Sequence, residues 1–320
     1  MQQPDLEATV RTLSSLPSRI PGYNGYEQAA TYVEGQMKAA GLARVHRESF
    51  RTAMPVDDGR SALSVHGQPF KIYPLWPNQV RTSQLPPGGI TAPLIDGGNA
   101  KLTSFTGRPV NGSIVLLDFD SGTDWLNAPR LGAKAVIFVE PRLMLRGEAE
   151  AKWVQLPLTI PRFYITRAEA ALLRAMIRVA PSGALQGVNL QCTMRWQNVN
   201  AYNIIGKIEG SDPQLKRQVM VVESYFDDMS TIPALAPGAE STCGIATFLT
   251  LAKTYSQPQF HPKRSVLFIA NGAHHEALMG MRQYLENHFD TPEFAGTENQ
   301  IASLQGAPMG ERFRTWVGVN

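Results

Sequence analysis

The sequence predicts an α/β protein in which a mostly parallel mixed sheet is flanked by helices and interrupted by an inserted β-rich domain. Three observations carry that expectation. Residues 219–222 and 265–270 are short, β-branched, almost uncharged runs, as strands covered on both faces of a parallel sheet must be. Each is followed by a stretch with helical spacing, the first through the turn PGAEST, and this alternation builds βαβ layers. Between about residues 55 and 197 the texture changes to short strands, many Pro and Gly residues and few long helices, which suits a β-rich insert.

Taken in order, apolar residues recur at helical spacing over residues 6–16 until Pro17, Pro21 and Gly22 break the pattern. Helical spacing resumes over 25–40 through Tyr26, Ala29, Ala30, Tyr32, Val33, Met37 and Ala40, and Gly41 is placed to end that helix. ARVHRESFRT reads as a strand. Within the insert, SIVLLDF and AKAVIFV read as buried strands bracketing a helical stretch at 128–131. The Pro-punctuated LPLTIPRFYIT follows, then an amphipathic helix over 167–179. After residue 197 the α/β grammar returns: the strand at 219, a helix over 243–255 capped by Ser241 or Thr242, the strand at 265 and a helix over 277–288. The final FRTWVGVN reads as a strand cut mid-way, so the expectation is a fragment of a longer protein.

At 320 residues the chain is long enough for about two domains. With 43% hydrophobic and 18% charged residues it has an ordinary globular composition. A formal charge of +3 without a run of Lys or Arg argues against nucleic acid as a partner. Cys192 and Cys243 are the only cysteines and form no CxxC pair, which excludes a thiolate zinc site and a disulfide-dense scaffold but leaves the compartment open. No apolar run approaches the roughly 18 residues of a membrane helix, and MQQPDLEATV lacks a signal pattern.

Both central strands end in polar clusters. Glu223, Tyr225, Asp227 and Asp228 follow the first, Asn271, His274, His275 and Glu276 follow the second, and Glu240 stands at the helix entrance between them. Ligands bind at the carboxyl ends of strands in open α/β sheets. Plainer readings stand beside that one. Asp227 and Asp228 either line a cleft or cap the strand end, and Glu240 gains from the helix dipole with or without a metal. Adjacent histidines at a strand end point to opposite faces, which leaves one of them facing the cleft. HHEALM fails as HExxH because Met279 stands where the second His is required. Cys243 opens a helix, where a thiol can be activated, but without a matched base it reads as a small buried packing residue. Tyr255, Tyr284 and the methionines of ALMGM read as core.

Four stretches together resemble the di-zinc aminopeptidase and glutamate carboxypeptidase family, whose relatives include the transferrin receptor and nicastrin. They are SRIPGYNGYEQAATYVEGQMKAAGL, NAYNIIGKIEGSDPQLKRQVMVVESYFDD, PGAESTCGIATFLTLAKTY and SVLFIANGAHHEALMG. The resemblance implies a zinc exopeptidase-like fold, with residues 1–80 and 198–320 forming the peptidase-like domain. It also implies a protease-associated domain over 85–195, marked by GRPVNGSIVLLDF and LGAKAVIF. In that family two zinc ions share a bridging carboxylate and a water, one ion activating the water while the other polarises the carbonyl or anchors the amine.

Carried over residue by residue, the resemblance puts Tyr225 at the first His ligand, Asp227 at the carboxylate that orients it, and Glu240 at the bridging Asp. His274 falls at the general-base Glu and His275 at the Glu ligand, while the late Asp falls at or just past Asn320. A phenol is a poor zinc ligand. The expectation is therefore a pseudo-peptidase: a zinc-aminopeptidase-like domain that has lost catalysis and serves as a binding or assembly module for a peptide or protein partner. Its zinc would be weak, single or missing, its location extracytoplasmic, and any membrane tether outside these residues. The alternative is an active metallopeptidase of aminopeptidase type that holds one metal through Asp227, Glu240 and His275, with His274 or Glu276 as the catalytic base.

Overall fold

The structure, a computed structural model, describes residues 3–78, 80–153, 158–288 and 312–318. The chain divides into two compact units. One comprises Met1–Met54, Asn198–Met229 and Leu235–Asn320, and the other Pro55–Gln197 with Ser230–Ala234.

The first unit is built on a five-stranded sheet. Its strands are β1 (Ala43–Val56), β9 (Arg195–Ile208), β10 (Gln218–Tyr225), β11 (Ser265–Asn271) and β12 (Arg312–Gly318), in the order β1-β9-β11-β10-β12. β10 runs parallel to both β11 and β12, whereas β9 is antiparallel to β11, so the sheet is mixed. Every residue of β11 is buried, which explains why this strand reads as a continuous apolar run rather than an alternating one.

The helices of this unit are α1 (Gln3–Ser14), α2 (Asn24–Ala39), α6 (Thr242–Tyr255) and α7 (Met279–His288). α2 buries Tyr26, Ala29, Ala30, Val33 and Met37 along one stripe. These pack with Ile204, Val222, Phe226, Phe248 and Phe268 in one core cluster. Gly41, at φ +85, takes the left-handed conformation that ends α2. α7 begins two residues later than its pattern predicts, because Ala277 and Leu278 have φ of 55 and 57, incompatible with a right-handed helix. Tyr284 is 1% exposed, as expected of core packing. Cys243 departs from expectation: it is exposed, because the buried side of α6 is taken by Thr242, Gly244, Ile245 and Ala246 around it.

α7 is tied to β1 through its last residue. His288 Nε2 lies 3.1 Å from both carboxylate oxygens of Glu48, with His46 3.5 Å away on the exposed side. Burial alone would raise the Glu48 carboxyl, but the hydrogen bonds from His288 and His46 outweigh it and bring it to about 2. A carboxyl depressed on folding contributes stability that is complete above its ordinary value of 4.5 and lost as the pH falls towards 2. Denaturant midpoints measured across that window are expected to drop in the parent and to drop less in Glu48→Gln; equal slopes would show that the contact contributes nothing.

The second unit is a closed barrel with the strand order β2-β3-β7-β6-β5-β4-β8. These strands are β2 (Ala62–Val65), β3 (Gln68–Pro74), β4 (Ile90–Gly98), β5 (Ile114–Asp118), β6 (Ala135–Val139), β7 (Arg162–Ile165) and β8 (Ala184–Gln191). β4 to β7 run parallel in succession, while β2, β3 and β8 pair antiparallel. The short α3 (Asn127–Arg130) and α4 (Arg146–Glu150) lie in the connections, and α5 (Arg167–Val179) packs Ala170, Leu173 and Ile177 onto the barrel core. Thr166 caps α5 by accepting the Glu169 N–H while donating to the Glu169 carboxylate at 3.0 Å, an N-cap that sets the start read from the sequence. A partition at residues 80–85 falls inside this barrel. β2 and β3 pair with β8 and β7, contacts across about a hundred residues that no local pattern reveals.

Candidate functional site

The carboxyl ends of β10 and β11 lie side by side because the two strands are parallel and in register, Tyr225 opposite Asn271. The two polar clusters are therefore brought together within the first unit. The His274 ring stacks on Tyr225 with centroids 4.0 Å apart and planes at 16°, and His275 stands edge-on to Tyr225 at 5.3 Å and to His274 at 5.2 Å. Both histidines thus gather on the same phenol. Strand alternation does not separate them, because β11 ends at Asn271 and Ala273 turns the chain with φ 53.

Beneath this aromatic group the acids are buried. Asp227 is 0% exposed and accepts the His274 backbone N–H at 3.0 Å. It therefore orients the turn after β11, and it holds no imidazole ligand at 225. Burial, reinforced by Glu276, pushes its carboxyl well above the usual carboxylate range. Burial also lifts Glu276 to about 7, and neither of its carboxylate oxygens has a protein partner among the described residues. His274 is brought down to about 4 by burial and then by His275, and His275 is lowered by burial and then by Arg19. The site therefore presents neutral imidazoles and one carboxyl that changes charge near neutrality, groups able to hold or pass a proton. Deeper in β10 and β11, Asn271 donates to the buried carboxylate of Glu223.

Arg19 is the residue that sequence reading missed. Its side chain is fully buried, donating from Nη2 to the Gly238 carbonyl at 3.1 Å and to Ser241 Oγ at 2.7 Å, with Asp228 Oδ2 3.8 Å away. Arg19 thereby fastens the turn before α6 to the end of β10. Gly238 is required in that turn: it has φ +54, and a Cβ there would sit 1.6 Å from Asp228 Oδ2. The signal was present in SRIPGY, but more than two hundred residues separate Arg19 from its partners.

Glu240 does not join the group. It lies exposed in the turn ahead of α6, which starts at Thr242. Asp228 Oδ1 is 3.9 Å from His275 Nε2, beyond hydrogen-bond distance. Among the described residues no three His, Cys, Asp or Glu side chains converge closely enough to hold a metal ion. Zinc needs about four donors at 2.0–2.3 Å. Here one candidate position is a phenol stacked on an imidazole, one acid faces a guanidinium, and the bridging candidate is turned to solvent. These residues do not fit a di-zinc centre. The position expected for the late Asp lies outside the described residues.

Residues 203–300 match peptidase family M28. The fold is that of the zinc aminopeptidases. The structure superposes on BSAP, a zinc aminopeptidase from Bacillus subtilis, with a TM-score of 0.58 and 21% identity, covering 91% of this chain and 66% of that one. It superposes on a peptidase M28 precursor from Shewanella amazonensis with a TM-score of 0.53 and 16% identity, covering 100% and 79%. The chain thus spans slightly under two thirds of the length of the Bacillus enzyme. No curated protein matches it in sequence. The M28 match spans Tyr225, Asp227, Glu240, His274, His275 and Glu276.

Proposed function

We propose that this chain is a pseudo-peptidase, an M28-type domain that no longer assembles a di-zinc centre and acts as a binding or assembly module for a peptide or protein. The observation that carries this reading is the stacking of Tyr225 on His274 at the end of β10. A neutral phenol, its ionisation pushed further away by burial and then by Asp228 and Asp227, takes the place of a ligand, and the neighbouring imidazole packs on its face. The kinship with glutamate carboxypeptidase and nicastrin, and the reading of the barrel as a protease-associated domain, belong to the same proposal. So does an extracytoplasmic location.

Zinc analysis tests it. The purified protein, equilibrated with zinc and desalted at neutral pH, is expected to retain far less than one equivalent and to leave aminoacyl chromogenic substrates uncut. Stoichiometric zinc, removed by a chelator together with peptidase activity, would overturn the proposal. Activity that disappears in His275→Ala while the fold persists would establish instead a single-metal enzyme using Asp227, Glu240 and His275.

A further inference from the structure

The turn that joins β11 to α7 holds three non-glycine residues in the left-handed region: Ala273, Ala277 and Leu278, at φ of 53, 55 and 57. That conformation is unfavourable for any residue with a Cβ, and two of the three are consecutive. Beside them, Glu276 has both carboxylate oxygens enclosed and neither bonded to a protein partner among the described residues, a costly way to bury a polar group. α7 itself starts at Met279 with no acidic residue in its first turn, although helical spacing in the sequence begins at residue 277. Backbone outliers of this kind gather at clamps and switches, where the surrounding structure holds them.

Both ends of the turn are pinned. A Cβ on Gly272 would lie 2.1 Å from Tyr26 Oη, and one on Gly280 would lie 2.2 Å from the Gly272 carbonyl oxygen. Asn203 Nδ2 also donates to the Gly280 carbonyl at 2.8 Å. Any rearrangement is therefore confined to residues 273–279. Three backbone hydrogen bonds close that segment: Leu278 N–H to the His274 carbonyl at 2.9 Å, Met279 N–H to the Ala273 carbonyl at 3.1 Å, and His274 N–H to the Asp227 carboxylate at 3.0 Å. Ala277 and Leu278 are themselves exposed, so no packing in the core fixes their side chains.

We propose that this turn is a two-state gate over the candidate site: the structure holds its closed form, and in the open form α7 gains Ala277 and Leu278 at its start while Glu276 swings into water. One movement relieves every unfavourable feature of the closed turn. Ala277 and Leu278 pass from the left-handed to the right-handed region, where alanine and leucine are strong helix formers. Glu276 leaves its enclosure and comes to lie beside the helix N-terminus, where a carboxylate is favoured. The bonds from Leu278 and Met279 open, and Asp227, 0% exposed in the closed form, loses the cover of the Glu276 side chain. The gate concerns access to the site and does not require that the site hold or lack a metal.

Residue-resolved hydrogen exchange on the full chain tests this, with the β11 amides as the report on opening of the whole unit. Ala277→Gly combined with Leu278→Gly favours the closed turn and disfavours the longer helix, so exchange at Leu278 and Met279 is expected to slow at least tenfold. In an ordinary mobile loop two glycines would quicken it. Ala277→Pro does the opposite: proline cannot take a φ of 55 and suits the first position of a helix. It should strip protection from Leu278 and Met279 while β11 stays protected. Exchange that the glycines leave unchanged or quicken, or loss of β11 protection in Ala277→Pro, would overturn the proposal. Neither readout involves zinc or peptidase activity, so the gate stands or falls apart from the pseudo-peptidase reading.

Discussion

Replacing Arg19 with methionine is expected to destabilise the protein by about 3–5 kcal/mol, the cost of removing one partner from a buried ion pair. The side chain is fully buried, and it carries hydrogen bonds to Gly238 and Ser241 as well as the facing charge of Asp228. Methionine fills much of the volume but removes both Nη2 hydrogen bonds and the charge facing Asp228, while the Gly238 carbonyl keeps only the Ser241 hydroxyl at 2.9 Å. Asp228 can escape part of the cost by taking up a proton, since burial already holds its carboxyl above the ordinary value. A carboxyl raised on folding favours the folded state more at low pH. The deficit of Arg19→Met should therefore grow as the pH rises and shrink as it falls through the new value for Asp228. Urea unfolding of Arg19→Met, Asp228→Asn and the double variant at two pH values is the measurement. The double variant should lose clearly less than the sum of the singles, and strict additivity would show that the two side chains do not interact.

Trp125→Ala is expected to cost about 3–5 kcal/mol in the barrel unit. Trp125 is 0% exposed and packs edge-on to Phe138 with centroids 5.7 Å apart, while Arg162 lies over its ring at 6.0 Å. Alanine leaves a cavity between α3 and the β6 strand and also frees the Ala151 carbonyl, to which Trp125 Nε1 donates at 2.8 Å. Trp125→Phe keeps most of the ring and loses the hydrogen bond, so about 1–2 kcal/mol is expected there. Limited proteolysis near Ala151 should rise in both variants, more in the alanine one. Unchanged proteolysis with full loss of stability would show that the ring packs the core without restraining the returning chain. Because this lesion lies in a different unit from Arg19→Met, the two variants are expected to lower different parts of the unfolding profile.

The elements that came through intact from sequence to structure are those whose signals are local. α5 occupies 167–179 as read, because Thr166 and Glu169 form its cap and Pro181 ends its run. The strands at 219 and 265 were legible because burial on both faces leaves nothing to alternate. Tyr225, Asp227, His274, His275 and Glu276 could be placed near one another because the register of two parallel strands carries their ends to the same edge of the sheet. Local signals failed where a single backbone angle or a distant partner decided. Ala273 undid the expected separation of the histidines, and Ala277 with Leu278 delayed α7. Cys243 went outward because its neighbours on α6 filled the interior.

The sequence alone determined the α/β architecture and the β-rich insert, since these depend on periodicity and on residue chemistry along the chain. Tertiary structure alone decided that Arg19 reaches the site, that Glu240 turns away from it, and that seven strands close into a barrel. Those outcomes depend on contacts between segments far apart in the chain, and their free energy exists only once both segments are in place.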